Sequence, residues 1–198
     1  MNPDPEAIDV ISRDPVMAEV IETHELSREP DREPFERLCV SIVNQQLSTA
    51  SATAVRERVE SLLDGVVRPE TVLAADDSDL REAGLSRSKV EYLQSAARAF
   101  REREYGPEAL ADRSNEEVIA ELTDIRGIGR WTAEMYLIFV LERPDVLPLG
   151  DLAVRRGMER LYADGDSLTR AELREIAEPW RPYRSLGTRY VWAAYESD

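Results

Sequence analysis

The stretch "LTDIRGIGRWTAEMYLIF", from Leu122 to Phe139, sets two glycines around an isoleucine directly before a strongly apolar helical pattern. Glycine is a poor helix former, so the pattern predicts an incoming helix over Asn115–Leu122, a tight loop over Arg126–Arg130 and an outgoing helix over Trp131–Leu141. Two readings of the loop stand side by side. It is an ordinary turn between helices, since glycine ends helices in the left-handed conformation and lets them pack closely. Alternatively, its backbone approaches an anion. The amides of Ile128, Gly129 and Arg130 would sit at a helix N-terminus, where unpaired N–H groups and the helix dipole favour negative charge. An arginine at each end, Arg126 and Arg130, suits a polyanion.

Outward from this loop the chain is helical in pattern nearly throughout, and the expected class is all-α. Phe35, Leu38, Cys39, Ile42, Val43 and Gln46 follow i, i+3, i+4 spacing, as do Leu93, Ala96, Ala97 and Phe100. The capping boxes "SNEE" (Ser114–Glu117) and "TRAE" (Thr169–Glu172) mark helix starts. Proline and glycine divide the chain into some ten short helices. The first ~34 residues are proline-rich and acidic, with a short helical pattern at Val16–Ile21 and the sole histidine, His24, which reads as a loop residue.

The 198 residues carry a net charge of −15, of which residues 1–120 hold −12 and residues 121–198 only −3. The bases are 24 arginines and one lysine, Lys89. An acidic, lysine-poor surface is the composition expected in a concentrated-salt, halophilic cytoplasm, where repulsion is screened within ~3 Å at molar salt. Net charge is therefore a weak veto on DNA binding. A single cysteine, Cys39, excludes an internal disulfide and a cysteine-only zinc or iron–sulfur site. No apolar run approaches the ~20 residues a bilayer span needs, and the N-terminus is unlike a signal peptide. The expectation is a cytoplasmic monomer that does not bind a membrane.

After the outgoing helix comes "RPDVLPLGDLAVRRG", in which Asp151 follows a Pro-x-Gly turn. Aspartate is a favoured N-cap, so Asp151 could simply start the helix Leu152–Tyr162. Its place just beyond the helix that leaves the glycine turn admits a catalytic reading as well.

Taken together, "LTDIRGIGRWTAEMYLIFVLERPDVLPLGD" resembles the helix–hairpin–helix/Gly-Pro-Asp superfamily of DNA base-excision glycosylases, in its alkyladenine, DNA-3-methyladenine glycosylase II branch. "SIVNQQLSTASATAV" (Ser41–Val55), with Asn44 where that branch usually has glycine, "GLSRSKVEYLQSAA" (Gly84–Ala97) and "WRPYRSLGTRYVW" (Trp180–Trp192) extend the likeness from about Phe35 to Trp192. The resemblance implies two helical lobes with the active cleft between them: a middle lobe of residues 35–113, and a second lobe of 1–34 with 114–198 that carries the hairpin (114–142) and the catalytic aspartate.

It also implies roles. Asp151 would be catalytic. Gly127, Ile128, Gly129, Arg130 and Thr132 would hold a DNA phosphate, and Gln45, Gln46 and Leu47 would meet the duplex, with Gln46 or Leu47 filling the space left by a flipped base. The carbonyls of Thr123, Ile125 and Ile128 would take a sodium or potassium ion; no other cofactor is implied. Trp131, Tyr136 and Trp192 would wall a base pocket by stacking and cation–π attraction, though each could equally be core. Bifunctional relatives carry a nucleophilic lysine where this chain has Trp131, and the four-cysteine cluster of the endonuclease III branch is absent. The expected activity is monofunctional excision of alkylated purines from damaged double-stranded DNA. The alternatives are a glycosylase for hypoxanthine, uracil or an oxidised base, and a non-catalytic helix–hairpin–helix DNA-binding protein.

Overall fold

The computed structural model describes residues 4–26, 30 and 32–197. Residues 1–3, 27–29 and 31 of the proline-rich stretch lie outside the described residues. Along the chain run α1 (Pro5–Ile11), α2 (Pro15–Thr23), α3 (Pro34–Asn44), α4 (Thr49–Leu62), α5 (Pro69–Ala74), α6 (Asp77–Glu82), α7 (Arg87–Glu102), α8 (Asn115–Thr123), α9 (Arg130–Phe139), α10 (Leu152–Ala163), α11 (Arg170–Ile176) and α12 (Arg184–Glu196), with a 3₁₀ turn at Glu178–Trp180. Among the described residues there is no strand, and no helix is long and apolar enough to cross a membrane.

Local chemistry sets the helix starts. Proline occupies the first turn of α1, α2, α3 and α5, where its fixed φ suits a helix and its missing N–H costs nothing. Asp14 caps α2 by accepting from the Val16 amide at 3.0 Å. Both capping boxes form: Ser114 with Glu117 on α8 and Thr169 with Glu172 on α11.

The chain divides into two compact units, residues 31–141 and residues 1–30 with 142–198. In the middle unit α3 packs against α4, α7 and α9, α5 lies on α7, and α8 pairs with α9. Phe35, Leu38, Ile42 and Val43 bury one face of α3 as the spacing predicts, but the helix stops at Asn44 and Gln46 has left it. Residues 114–141, expected in the second lobe, belong here instead. The reason is that α9 buries Ala133, Tyr136 and Leu137 within this unit, against α3.

The other unit is built on α10, α12 and α2. Its core gathers Ile11, Met17, Val20, Val154, Met158, Leu173, Trp180 and Val191. Asp14 serves twice: besides capping α2, it accepts from the Tyr162 hydroxyl at 2.6 Å and the Trp180 indole at 3.1 Å. Gly157 lets α10 and α12 close on one another, since a Cβ there would lie 2.6 Å from Val191 Cγ1 and 3.1 Å from its carbonyl oxygen.

Candidate functional site

In the middle unit α8 ends at Thr123, and a turn leads to α9 at Arg130. The Ile128 amide donates to the Ile125 carbonyl at 3.0 Å. That amide, expected among the anion donors, is thus spent inside the turn. The two glycines differ in what demands them. Gly127 has φ +91°, and a Cβ there would fall 2.1 Å from Cγ of Tyr92, so the protein's own packing requires glycine. Gly129 has ordinary extended backbone (φ −94°, ψ 172°), caps α9, and a Cβ there would meet nothing within 4 Å. The first bond closing α9 runs from Ala133 N–H to Gly129 O, so the amides of Arg130, Trp131 and Thr132 precede it. Gly129 is thus the open position of the hairpin, directly before the first turn of α9.

The flanking arginines carry carboxylate partners. Arg126 donates to Glu91 at 2.6 Å. Arg130 makes a two-pronged pair with Glu116, at 2.6 and 3.0 Å, and its Nε reaches Glu134 at 3.0 Å. The bond to Glu116 raises the Arg130 pKa, and in return Arg130 holds the Glu116 carboxyl below its ordinary value. Both pairs with Glu116 and Glu91 are exposed, where such bridges contribute ~0–1 kcal/mol and break readily. The i, i+4 spacing of Arg130 and Glu134 is visible in the sequence; the partners 14 and 35 residues away are not.

Three residues of "NQQLS" take different parts. Gln45 spans to the hairpin, its Nε2 donating to Gly127 O and Thr132 Oγ1, each at 3.0 Å. Gln45 and Thr132, expected at the DNA, are joined to each other within the unit. Thr132 is buried. Gln46 adopts φ +57°, which turns the chain sharply, and both Gln46 and Leu47 are exposed, Leu47 to 39%.

The expected base-pocket aromatics separate. Trp131 stands half-buried in the first turn of α9. Tyr136 is only 1% exposed, among Phe100 and Tyr105, and its hydroxyl donates to the Tyr105 carbonyl at 2.8 Å. Burial pushes its pKa up. Tyr136 is a core residue and is withdrawn from the pocket; its helical spacing from other apolar residues carried that warning.

In the other unit Asp151 caps α10, its Oδ1 accepting from the Val154 amide at 3.0 Å. The same oxygen accepts from the Trp192 indole N–H at 3.3 Å. Trp192 rides on α12, brought near by the close α10–α12 packing that Gly157 permits. Asp151 is the N-cap that its place in the sequence suggests, and its carboxylate is held by an aromatic donor as well. Arg155 reaches back to the carbonyls of Leu149 (3.1 Å) and Gly150 (3.3 Å), fixing the turn before it. Leu152, next in the chain, is 58% exposed.

The segment leading to Asp151 is clamped by "RPYRS". Ser185 donates to Arg143 O at 2.6 Å and accepts from the Val146 amide at 2.9 Å, while its own amide donates to Pro144 O at 2.9 Å. Arg181 and Arg184 both bond the Asp145 carboxylate. The sequence marks this motif without showing what it does. Replacing Ser185 with alanine strands the buried Val146 N–H, an expected cost of about 1–3 kcal/mol. Thermal unfolding should then shift down by roughly 2–12 °C for a chain of this size.

Among the described residues no group of three or more His, Cys, Asp or Glu side chains is placed to hold a metal ion. Residues 39–182 match the family model described as "HhH-GPD superfamily base excision DNA repair protein". This chain belongs to the HhH-GPD superfamily of base excision DNA repair proteins. It is 36% identical over 164 residues to DNA-3-methyladenine glycosylase 1 of Schizosaccharomyces pombe, covering 81% of this chain and 72% of that one. Against the DNA-3-methyladenine glycosylase of Saccharomyces cerevisiae the identity is 34%, over 83% of this chain and 58% of the yeast protein's length. The S. pombe 3-methyladenine DNA glycosylase solved in complex with abasic DNA superimposes with a TM-score of 0.85 at 32% identity, covering 94% of this chain and 95% of that one.

Proposed function

We propose that this protein is a monofunctional DNA glycosylase that excises alkylated purines of the 3-methyladenine type from duplex DNA. The observation that carries the reading is the Asp151 carboxylate, oriented by both the Val154 amide and the Trp192 indole. The relatives named 3-methyladenine glycosylases at 34–36% identity support the substrate class.

The chemistry follows from the substrate. A base inside a duplex is out of reach, so the nucleotide is flipped out, and Gln46 or Leu47 fills the gap. Alkylation makes the purine cationic, so it departs with the electron pair of the glycosidic bond and needs no strong acid. Positive charge then builds on the sugar, and the fixed carboxylate of Asp151 stabilises it. Water adds at C1′, and its proton passes to Asp151 or solvent. Trp192, beside Asp151, offers an aromatic face to a cationic base. The hairpin, through Gly129 and the first amides of α9, holds a backbone phosphate.

The hairpin carbonyls suit a monovalent cation. Thr123 O lies in the last turn of α8, at the negative end of its dipole. Ile125 O accepts one amide and keeps a second lone pair. With Ile128 O these residues would hold sodium or potassium, which would add positive charge beside the phosphate.

The test is base release from methylated duplex DNA in high potassium chloride, analysing free bases and strand breaks. Free 3-methyladenine, with nicks only after alkali and no protein–DNA adduct under borohydride, is the expected result. The single lysine, Lys89, is on α7 and donates to the Val43 carbonyl at 2.7 Å; it does not replace the nucleophile of bifunctional relatives. An adduct would overturn the monofunctional assignment. Release of uracil, hypoxanthine or oxidised bases instead would overturn the substrate class.

A further inference from the structure

Gln45 stands at a junction that neither packing nor the chemistry at Asp151 explains. It follows the end of α3 and precedes the exposed tip of Gln46, Leu47 and Ser48. Its side-chain amide has two hydrogens and places both on the hairpin, one on Gly127 O and one on Thr132 Oγ1. These acceptors lie 82 and 87 residues away in the chain, and they stand on either side of Gly129, where a phosphate would approach. One half-buried side chain thus ties the tip to the phosphate-holding turn.

The root of the tip is held separately. Lys89 Nζ donates to Val43 O at 2.7 Å, in the last turn of α3. One turn further along α7, Tyr92 lies against Gly127. Residues i and i+3 share a helix face, so a single face of α7 braces the end of α3 and the hairpin turn together. Gln45 closes the third side. Beyond it, at Gln46, a φ of +57° turns the chain sharply.

We infer that Gln45 is a positioning residue for base flipping: it sets the separation between the grip on the phosphate and the tip that enters the duplex. Flipping requires both at once, since the tip must arrive where the base leaves while the backbone stays held. A tip misplaced by 1 Å can lose on the order of a hundredfold in rate. The grip alone requires no such registration. Loss of Gln45's bonds should therefore spare binding and impair extrusion. This rests on the reading of the chain as a base-flipping glycosylase.

The test uses Gln45→Met, which keeps length and apolar contact and removes both donors. Duplex binding, read by anisotropy on undamaged DNA, should stay within threefold of wild type. Single-turnover release from methylated duplex at saturating enzyme should fall roughly 10- to 100-fold, with little change in the half-saturating enzyme concentration. Placing the lesion opposite an abasic gap makes extrusion easier and should restore much of the rate. A general folding defect would not be relieved in that way. Extrusion is also read without chemistry, from 2-aminopurine fluorescence beside a tetrahydrofuran abasic site. Equal loss of binding and release, no loss at all, or no recovery opposite the gap would each overturn the proposal. If wild type released no base, the glycosylase reading would fall by itself. The fluorescence comparison would still decide Gln45: a signal equal in both proteins overturns its role, and one lost in Gln45→Met supports it.

Discussion

Asp151→Asn should leave a folded protein that binds DNA and scarcely releases a base. Asparagine is as good an N-cap as aspartate, so its Oδ1 can still accept the Val154 amide and the Trp192 indole that meet Asp151 now. What the substitution removes is the negative charge, with helix and clamp intact. Deleting one well-placed group that stabilises transition-state charge costs about 10²–10³-fold in rate. Single-turnover release of 3-methyladenine should drop by at least that much, while duplex affinity stays within a few-fold. Unchanged release would take Asp151 out of the chemistry. Release absent from wild type as well, with binding intact, would bring forward the reading of a non-catalytic hairpin protein.

The two hairpin glycines should separate stability from binding. Gly127→Ala places a Cβ at φ +91° and drives it to 2.1 Å from the Tyr92 ring. Left-handed strain of about 1 kcal/mol adds to overpacking of about 1–3 kcal/mol. Urea unfolding should show a loss of roughly 2–4 kcal/mol on those grounds. Gly129→Ala meets open space and ordinary backbone angles, so its cost should be that of a poorer N-cap, about 1 kcal/mol or less. Its effect should fall on DNA, where the new methyl group stands between the first amides of α9 and a phosphate. Affinity for duplex should weaken about tenfold, near 1.4 kcal/mol. If Gly129→Ala bound as tightly as wild type, the turn would not be a phosphate site. If Gly127→Ala were as stable as wild type, the contact with Tyr92 would not be what demands glycine.

Local features were legible in the sequence. Apolar spacing placed the buried faces of α3, α7 and α9, the two capping boxes placed the starts of α8 and α11, and the Pro-x-Gly turn placed Asp151 ahead of α10. Partnerships across long separations were not. Glycine at 127 and at 129 reads alike in a string, yet only one has Tyr92 against it. Gln45 and Thr132 both looked like residues facing a ligand, because a polar side chain carries no mark in the sequence of a partner more than 80 residues away. Tyr136 looked like a pocket wall because an aromatic near a site and an aromatic in a core have the same spacing; burial and the bond to Tyr105 distinguish them. The hairpin's membership of the middle unit was hidden for a similar reason, since α9 follows α8 in the chain but buries its face on α3.

The paired state of Arg126 and Arg130 has a consequence for how affinity responds to ionic conditions. An unpaired guanidinium that meets a DNA phosphate lets a condensed counterion return to bulk solution, and each such release steepens the fall of affinity with salt. On the proposed reading an incoming phosphate would exchange with Glu91 and Glu116, one anionic neighbour replacing another. The remaining donors are backbone amides, which carry no net charge. Gripped in this manner, DNA is expected to stay bound as salt rises, which would let a chain of net charge −15 hold a polyanion.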